Sequence, residues 1–232
     1  FSLQRSEQIW LHEMLSYYLI NKTETEPERF EDIPAQILFS SLHERSLGEK
    51  LTHTSTTKQY LHSKNAIRSE KASQIFKLLE RLCPGSRKDI LKYINDQHGS
   101  VIDEEYLIAA VTKSCQDPAV AWEFLRDFIY QPGKALLNVK RVNGTVTITQ
   151  TRYHSTYFDP QLRDTKTRYT IPILYEINGT QHVKVFRKNE PCLTIAVPDS
   201  SFFLIDDEFH HLYFAFYASP IVLQKRIYTE QE

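Results

Sequence analysis

The chain has 232 residues, 41% apolar and 25% charged, and its 28 Lys and Arg against 29 Asp and Glu leave a formal net charge of −1. That length buries a real core, the composition is globular rather than disordered, and balanced charge excludes the basic footprint of a nucleic-acid binder. No apolar run is long enough to span a bilayer as a helix, and with Phe at position 1 the chain reads as a mature piece or a fragment of something longer.

In chain order, the spacing predicts helices first. One begins near Glu7, carries Leu15, Tyr18 and Leu19 on its apolar face, and ends before the polar stretch 21–29. A second lies near residues 34–44, and residues 46–64 are polar and irregular. Residues 67–82 place Ile75, Leu78, Leu79 and Leu82 at three- and four-residue spacing, and Pro84-Gly85 stops that helix. Ile90, Leu91 and Ile94 form the face of the next, which ends near His98-Gly99. Asp103 and Asp117 read as N-caps, the latter followed by Pro118 at the first helical position. Trp122, Leu125 and Phe128 share a face of the last helix, which predicts that Phe128 is buried, and Gln131-Pro132-Gly133 closes the helical part.

From Leu136 the period becomes two. Thr145, Thr147 and Thr149 alternate with Val146 and Ile148, and Asn143-Gly144 joins this strand to the one over 136–142. Asn-Gly supplies the positive φ angles of a tight hairpin turn. The pattern recurs as a strand over 169–177, then Asn178-Gly179, then a strand over 181–187. Short strands follow over 193–197, 202–205 and 212–217. Pro172 inside a strand implies an edge or a bulge. About seven short strands with turn signals between them suggest a β-sandwich.

Cys83, Cys115 and Cys192 are widely spaced and in no metal-binding pattern; the odd count leaves no complete internal disulfide set, and buried structural thiols are the expectation for all three. Three N-x-[ST] tripeptides, at Asn21, Asn143 and Asn178, are candidate glycosylation sites and point to an extracellular, cell-surface or secretory-lumen protein.

Several segments carry chemistry by likeness. Ile9-Trp10-Leu11-His12-Glu13-Met14-Leu15-Ser16 resembles the Trp-Leu-Asn-Glu-Gly-Phe-Ala segment of the aminopeptidase N family, zinc metallopeptidases of the gluzincin class that remove N-terminal residues from peptides. Ile67-Arg68-Ser69-Glu70-Lys71-Ala72-Ser73 is similar to the family's Ile-Ser-Tyr-x-Lys-Gly-Ala, and the stretches 93–98, 128–135, 168–172 and 213–217 follow its later landmarks in order. The resemblance implies an α+β chain: an N-terminal helical segment like the C-terminal part of a thermolysin-like catalytic domain, then a small antiparallel β-sandwich. The expected divisions are 1–135, 136–222 and a tail over 223–232, without the family's large C-terminal helical domain.

By the same resemblance Glu13 stands at the family's third zinc-ligand position. The two histidines of the H-E-x-x-H helix lie upstream in the family, and Phe1 is only twelve residues before Glu13. His12-Glu13 is followed by Ser16, and His43-Glu44 by Leu47, where a second histidine would have to stand. Two histidines one helical turn apart are needed to reach one ion. Zinc is therefore expected only if upstream histidines exist. Ser69 occupies the position of the family's oxyanion-stabilising tyrosine, and loss of one such donor costs on the order of 10²–10³ in rate. The expectation is a pseudoenzyme or partial chain with no catalytic residue of its own, whose partners would be peptides or a full-length family member. The alternatives are part of a longer, active zinc aminopeptidase, or a β-sandwich interaction module. Lys71 is expected to be a solvated or capping lysine, and the adjacent His210 and His211 point to opposite faces of a strand and cannot share an ion.

Overall fold

A computed structural model describes residues 2–3, 71–72, 74–97, 101–102, 104–131, 133–153, 167–205 and 212–218. The expected helices before residue 67, together with Asp103, His210 and His211, lie outside these residues. The chain forms two compact units, and the change from one to the other falls between Gly133 and Lys134.

The described residues of the first unit are mostly helical. Helix α1 includes residues 71–72 and 74–82 and buries Ala72, Ile75, Phe76, Leu78 and Leu79, a wider apolar surface than the expected stripe. It ends where Pro84 removes an N–H and Gly85 takes a φ of 110°, a left-handed conformation that glycine adopts at little cost. Helix α2 (Ser86–Asp96) starts there with Asp89 in its first turn, where a carboxylate complements the helix dipole. Ile90 is buried, Leu91 is exposed and Ile94 is half-buried, so the expected face is narrower than its sequence suggests. Helix α3 (Glu104–Thr112) buries Leu107, Ile108 and Val111, and the Thr112 hydroxyl donates to the Ile108 carbonyl at 2.9 Å. Helix α4 (Pro118–Tyr130) begins as its caps predict: the Asp117 side chain accepts from the Val120 N–H at 3.1 Å, with Pro118 opening the helix. Phe128 is fully buried, 5.5 Å from the Phe124 ring. A short parallel pair, β1 (Ser2–Leu3) with β2 (Val101–Ile102), was not anticipated in this otherwise helical part.

Cys83 and Cys115 are disulfide-bonded, their Cα atoms 4.5 Å apart, and Cys192 is the free thiol among the described cysteines. This corrects the expectation of three buried thiols. An odd count leaves one cysteine over but says nothing against a single bridge. The pairing joins the end of α1 to the turn after α3, a proximity that only packing creates.

The second unit holds two sheets. In one, β7 (Leu193–Ala196), β4 (Thr145–Arg152), β3 (Ala135–Val142) and β9 (Tyr213–Tyr217) lie side by side in that order. In the other, β6 (Thr180–Phe186), β5 (Ile171–Ile177) and β8 (Phe203–Ile205) do. Both hairpins have the turns their sequences call for: φ is 47° at Asn143 and 73° at Gly144, 50° at Asn178 and 84° at Gly179. The register pairs Val139 with Ile148 and Leu137 with Gln150, so the period-two alternation puts these residues on one buried face together with Leu193 and Ile195 of β7. Ile171, Ile173, Phe186, Phe203 and Ile205 form the buried side of the other sheet. The sheets are tied by the Lys184 ammonium on the Thr194 carbonyl and the Ile205 N–H on the Tyr217 hydroxyl, each at 2.8 Å.

Two strand expectations change. β9 runs parallel to β3, from Ala135 opposite Tyr213 to Val139 opposite Tyr217, so the unit is antiparallel-rich rather than wholly antiparallel. Pro172 sits in β5, which is central in its sheet, yet β8 pairs only with Tyr175–Ile177. At Pro172 the strand has a neighbour on one side alone, and the missing N–H costs no ladder bond on the open side. The chain is a mixed α+β protein.

Candidate functional site

Glu13, Ser69 and Asn21 lie outside the described residues, so the family's zinc-ligand and tyrosine positions have no geometry here. Among the described residues, no group of three or more His, Cys, Asp or Glu is placed to hold a metal ion. The described chemistry gathers at four places.

The first is Lys71, two residues beyond Ser69. Its side chain is 2% exposed, and its ammonium donates to the Gly133 carbonyl at 2.8 Å and lies 5.9 Å from the centre of the Phe128 ring. The expected solvated lysine is thus a buried strut between α1 and the turn after α4. A buried ammonium persists only where its charge is met, and a carbonyl dipole and a ring face both meet it. Sequence could not reveal this, since Lys71 and Gly133 are 62 residues apart.

The second is Lys134, which opens the sheet unit. Its ammonium lies 4.2 Å from the Phe214 ring centre and 5.5 Å from that of Tyr153, and these two rings stand edge to face at 5.1 Å. Lys134 just precedes β3 and Tyr153 just follows β4, where the Tyr153 N–H donates to the Lys134 carbonyl at 2.8 Å, and β9 brings Phe214 beside them on the sheet face opposite Leu137 and Val139. The aromatic run of β9 therefore divides: Tyr213 is buried, Phe214 packs on a cation, and Phe216 is 59% exposed.

The third is a ring cluster on the other sheet. Tyr175 stacks on His182, its partner in the β5–β6 ladder, at 5.4 Å, and leans on Phe203 at 5.6 Å. Burial pushes the Tyr175 phenol above the usual tyrosine value, because ionisation would place a charge against apolar neighbours.

The fourth comprises the two hairpin tips that carry glycosylation tripeptides. At Asn143-Gly144, the neighbouring backbone is held by the loop after β7: the Gly144 N–H donates to Asp199 Oδ1 at 2.6 Å, and the Gly144 carbonyl accepts from the Val197 N–H at 2.8 Å. Arg141 donates to the carbonyls of Ser201, at 2.7 Å, and Pro198. At Asn178-Gly179 the asparagine itself is engaged. Its Oδ1 accepts from the Phe202 N–H at 2.8 Å, its Nδ2 donates to the Ser201 hydroxyl at 3.1 Å, and its backbone N–H donates to the Phe202 carbonyl at 3.2 Å. The tripeptides are alike in sequence and differ in what their side chains do.

A further polar element escaped the sequence reading. Gln150 is 3% exposed and serves both backbone groups of Tyr169, accepting from its N–H at 3.0 Å and donating to its carbonyl at 2.9 Å. The side chain acts as a missing strand segment. Its only sequence signal is a glutamine at a position of β4 whose parity matches Val146 and Ile148. Compared with models of known protein families and with curated proteins, the chain matches none.

Proposed function

We propose that the chain is a degenerate member or a portion of the aminopeptidase N family, and that these residues by themselves bind rather than cleave. On this reading the helical unit corresponds to the C-terminal part of a thermolysin-like catalytic domain and the two-sheet unit to the family's small β-sandwich. The observation that carries it is the order of the parts. The Glu13 segment, the Lys71 helix, the stretch 128–135 and the strand at 168–172 follow one another as in the family. The change from helices to sheets between Gly133 and Lys134 agrees with that order.

Inactivity rests on chemistry. Glu13 is one carboxylate, a zinc needs three protein ligands in a catalytic site, and Ser69 cannot reach the oxygen that a tyrosine phenol would. The partners would be peptides or a full-length family member. The setting would be extracellular, cell-surface or lumenal, which the Cys83–Cys115 bridge favours because disulfides persist in oxidising compartments. The test is turnover of a fluorogenic aminoacyl amide with added zinc, alongside metal content after dialysis. No turnover and no retained zinc are expected; stoichiometric zinc with chelator-sensitive turnover would sink the proposal and restore Glu13 as a true ligand.

The second unit motivates another reading, an interaction module in its own right, since it is compact and both of its sheets bury a face. Residues 134–232 expressed alone would then unfold cooperatively; a product lacking a cooperative transition would rule that module out.

A further inference from the structure

The two hairpins over the described residues present the same acceptor tripeptide in the same kind of turn. Asn143-Gly144-Thr145 and Asn178-Gly179-Thr180 each begin with an exposed asparagine at positive φ. An asparagine accepts an N-glycan through Nδ2, so the state of that atom separates them.

Among the described residues the Asn143 carboxamide has no hydrogen-bond partner, and the side-chain contacts that hold its turn act on Gly144 and Arg141. A sugar on its Nδ2 displaces no hydrogen bond among the described residues. Asn178 stands in the opposite position. Its Nδ2 is committed to the hydroxyl of Ser201, a residue only 8% exposed, and its Oδ1 to the Phe202 N–H. With the backbone bond from the Asn178 N–H to the Phe202 carbonyl, these contacts fasten the β5–β6 turn to the lead-in of β8. A pyranose on that nitrogen has to share the space with Ser201.

We propose that Asn143 is an N-glycan acceptor of this chain, and that Asn178, with the same tripeptide, is a structural residue that stays unmodified in the folded protein. The donor class is a lipid diphosphate-linked oligosaccharide. Nδ2 bonds to the anomeric carbon, the bond from that carbon to the diphosphate oxygen breaks, the amide gives up one proton, and the lipid diphosphate leaves. Attachment that precedes folding still selects between the sites. A chain modified at Asn143 folds with its turn contacts intact, whereas one modified at Asn178 must fit a pyranose on the nitrogen that donates to the hydroxyl of Ser201, a residue only 8% exposed. The glycan at Asn143 would also cover the exposed end of the four-stranded sheet, where Val142 is 49% exposed.

The inference rests on the lumenal setting proposed above, so the experiment supplies that setting: the full chain is secreted from eukaryotic cells behind an added signal sequence. Secreted protein with the Cys83–Cys115 bridge intact is digested, and occupancy is read by mass spectrometry as Asn-to-Asp conversion under peptide N-glycanase in heavy-oxygen water. Conversion at residue 143 and none at residue 178 is expected. Asn143→Asp, which tolerates the left-handed turn, and Thr145→Ala should each abolish the signal at 143. Thr180→Ala, which leaves the Asn178 hydrogen bonds untouched, should change neither occupancy nor secretion. An unmodified residue 143, or glycan at residue 178 in the secreted disulfide-bonded chain, would overturn the assignment whatever the natural compartment proves to be.

Discussion

Cutting the Cys83–Cys115 bridge removes a cross-link between residues 32 apart in sequence. A closed loop of that length restricts the unfolded chain by an entropy that amounts to about 3.7 kcal/mol at 25 °C. Native contacts change little, because both cysteines are buried and alanine brings no polar atom into their place. The perturbation is therefore Cys83→Ala, Cys115→Ala and the double variant, all in a Cys192→Ser background that removes the half-buried free thiol. For a unit of this size the loss should lower the thermal midpoint by on the order of 10 °C. Far-ultraviolet circular dichroism reads it, since the bridged unit is the helical one. Either single change breaks the whole cross-link, so the double variant should lose little more than each single one. In parallel, the oxidised chain unfolded in denaturant should titrate a single thiol, that of Cys192, and the reduced chain all 3 cysteines of the sequence. Unchanged midpoints, or losses that add fully in the double variant, would refute the loop-entropy argument. Three thiols before reduction would refute the bridge itself.

Phe128 is fully buried against Phe124, so Phe128→Ala should destabilise by about 3–5 kcal/mol in urea titrations; an unshifted midpoint would mean that its side chain is not in the core. Gln150→Leu keeps the volume but deletes both bonds to the Tyr169 backbone, and each buried group left unsatisfied costs about 1–3 kcal/mol, which chemical denaturation at neutral pH would resolve. Tyr175 titrates above the ordinary phenol value when folded and near it when unfolded. The unfolded state then loses its proton first, so this residue's stabilising effect is complete below the ordinary phenol value and declines as pH rises through it towards the folded one. Tyr175→Phe should flatten that alkaline loss and delete a component of the tyrosinate absorbance that titrates above the ordinary phenol value; an unchanged alkaline slope would count against burial as the cause.

Local signals were legible wherever neighbours in sequence are neighbours in space. Asp117 with Pro118 announces a helix start, and the Asp117 side chain caps Val120 as that pair requires. Asn143-Gly144 and Asn178-Gly179 announce tight hairpins, and all four residues have positive φ. The alternation of Thr145, Val146, Thr147 and Ile148 announces which side of β4 is buried, because the side-chain period of a strand is two. The two candidate glycosylation sites at these turns were visible as tripeptides, but not their difference. That difference lies in Ser201 and Phe202, more than twenty residues beyond Asn178. Glu13 and Ser69 were named through resemblance alone and lie outside the described residues.

The sequence by itself thus determined the helix start at Asp117-Pro118, the two hairpin turns and the buried side of β4, since these depend on φ preferences, capping groups and spacing within a few residues. Tertiary structure decided the pairings. It joined Cys83 to Cys115, set Lys71 on the Gly133 carbonyl, enclosed Lys134 between Tyr153 and Phe214, and laid β9 parallel to β3. The period of a strand states which face is apolar but not which strand lies beside it. A lysine's exposed or buried fate depends on whether a distant carbonyl and ring arrive to meet its charge, and that is settled only when the chain has packed.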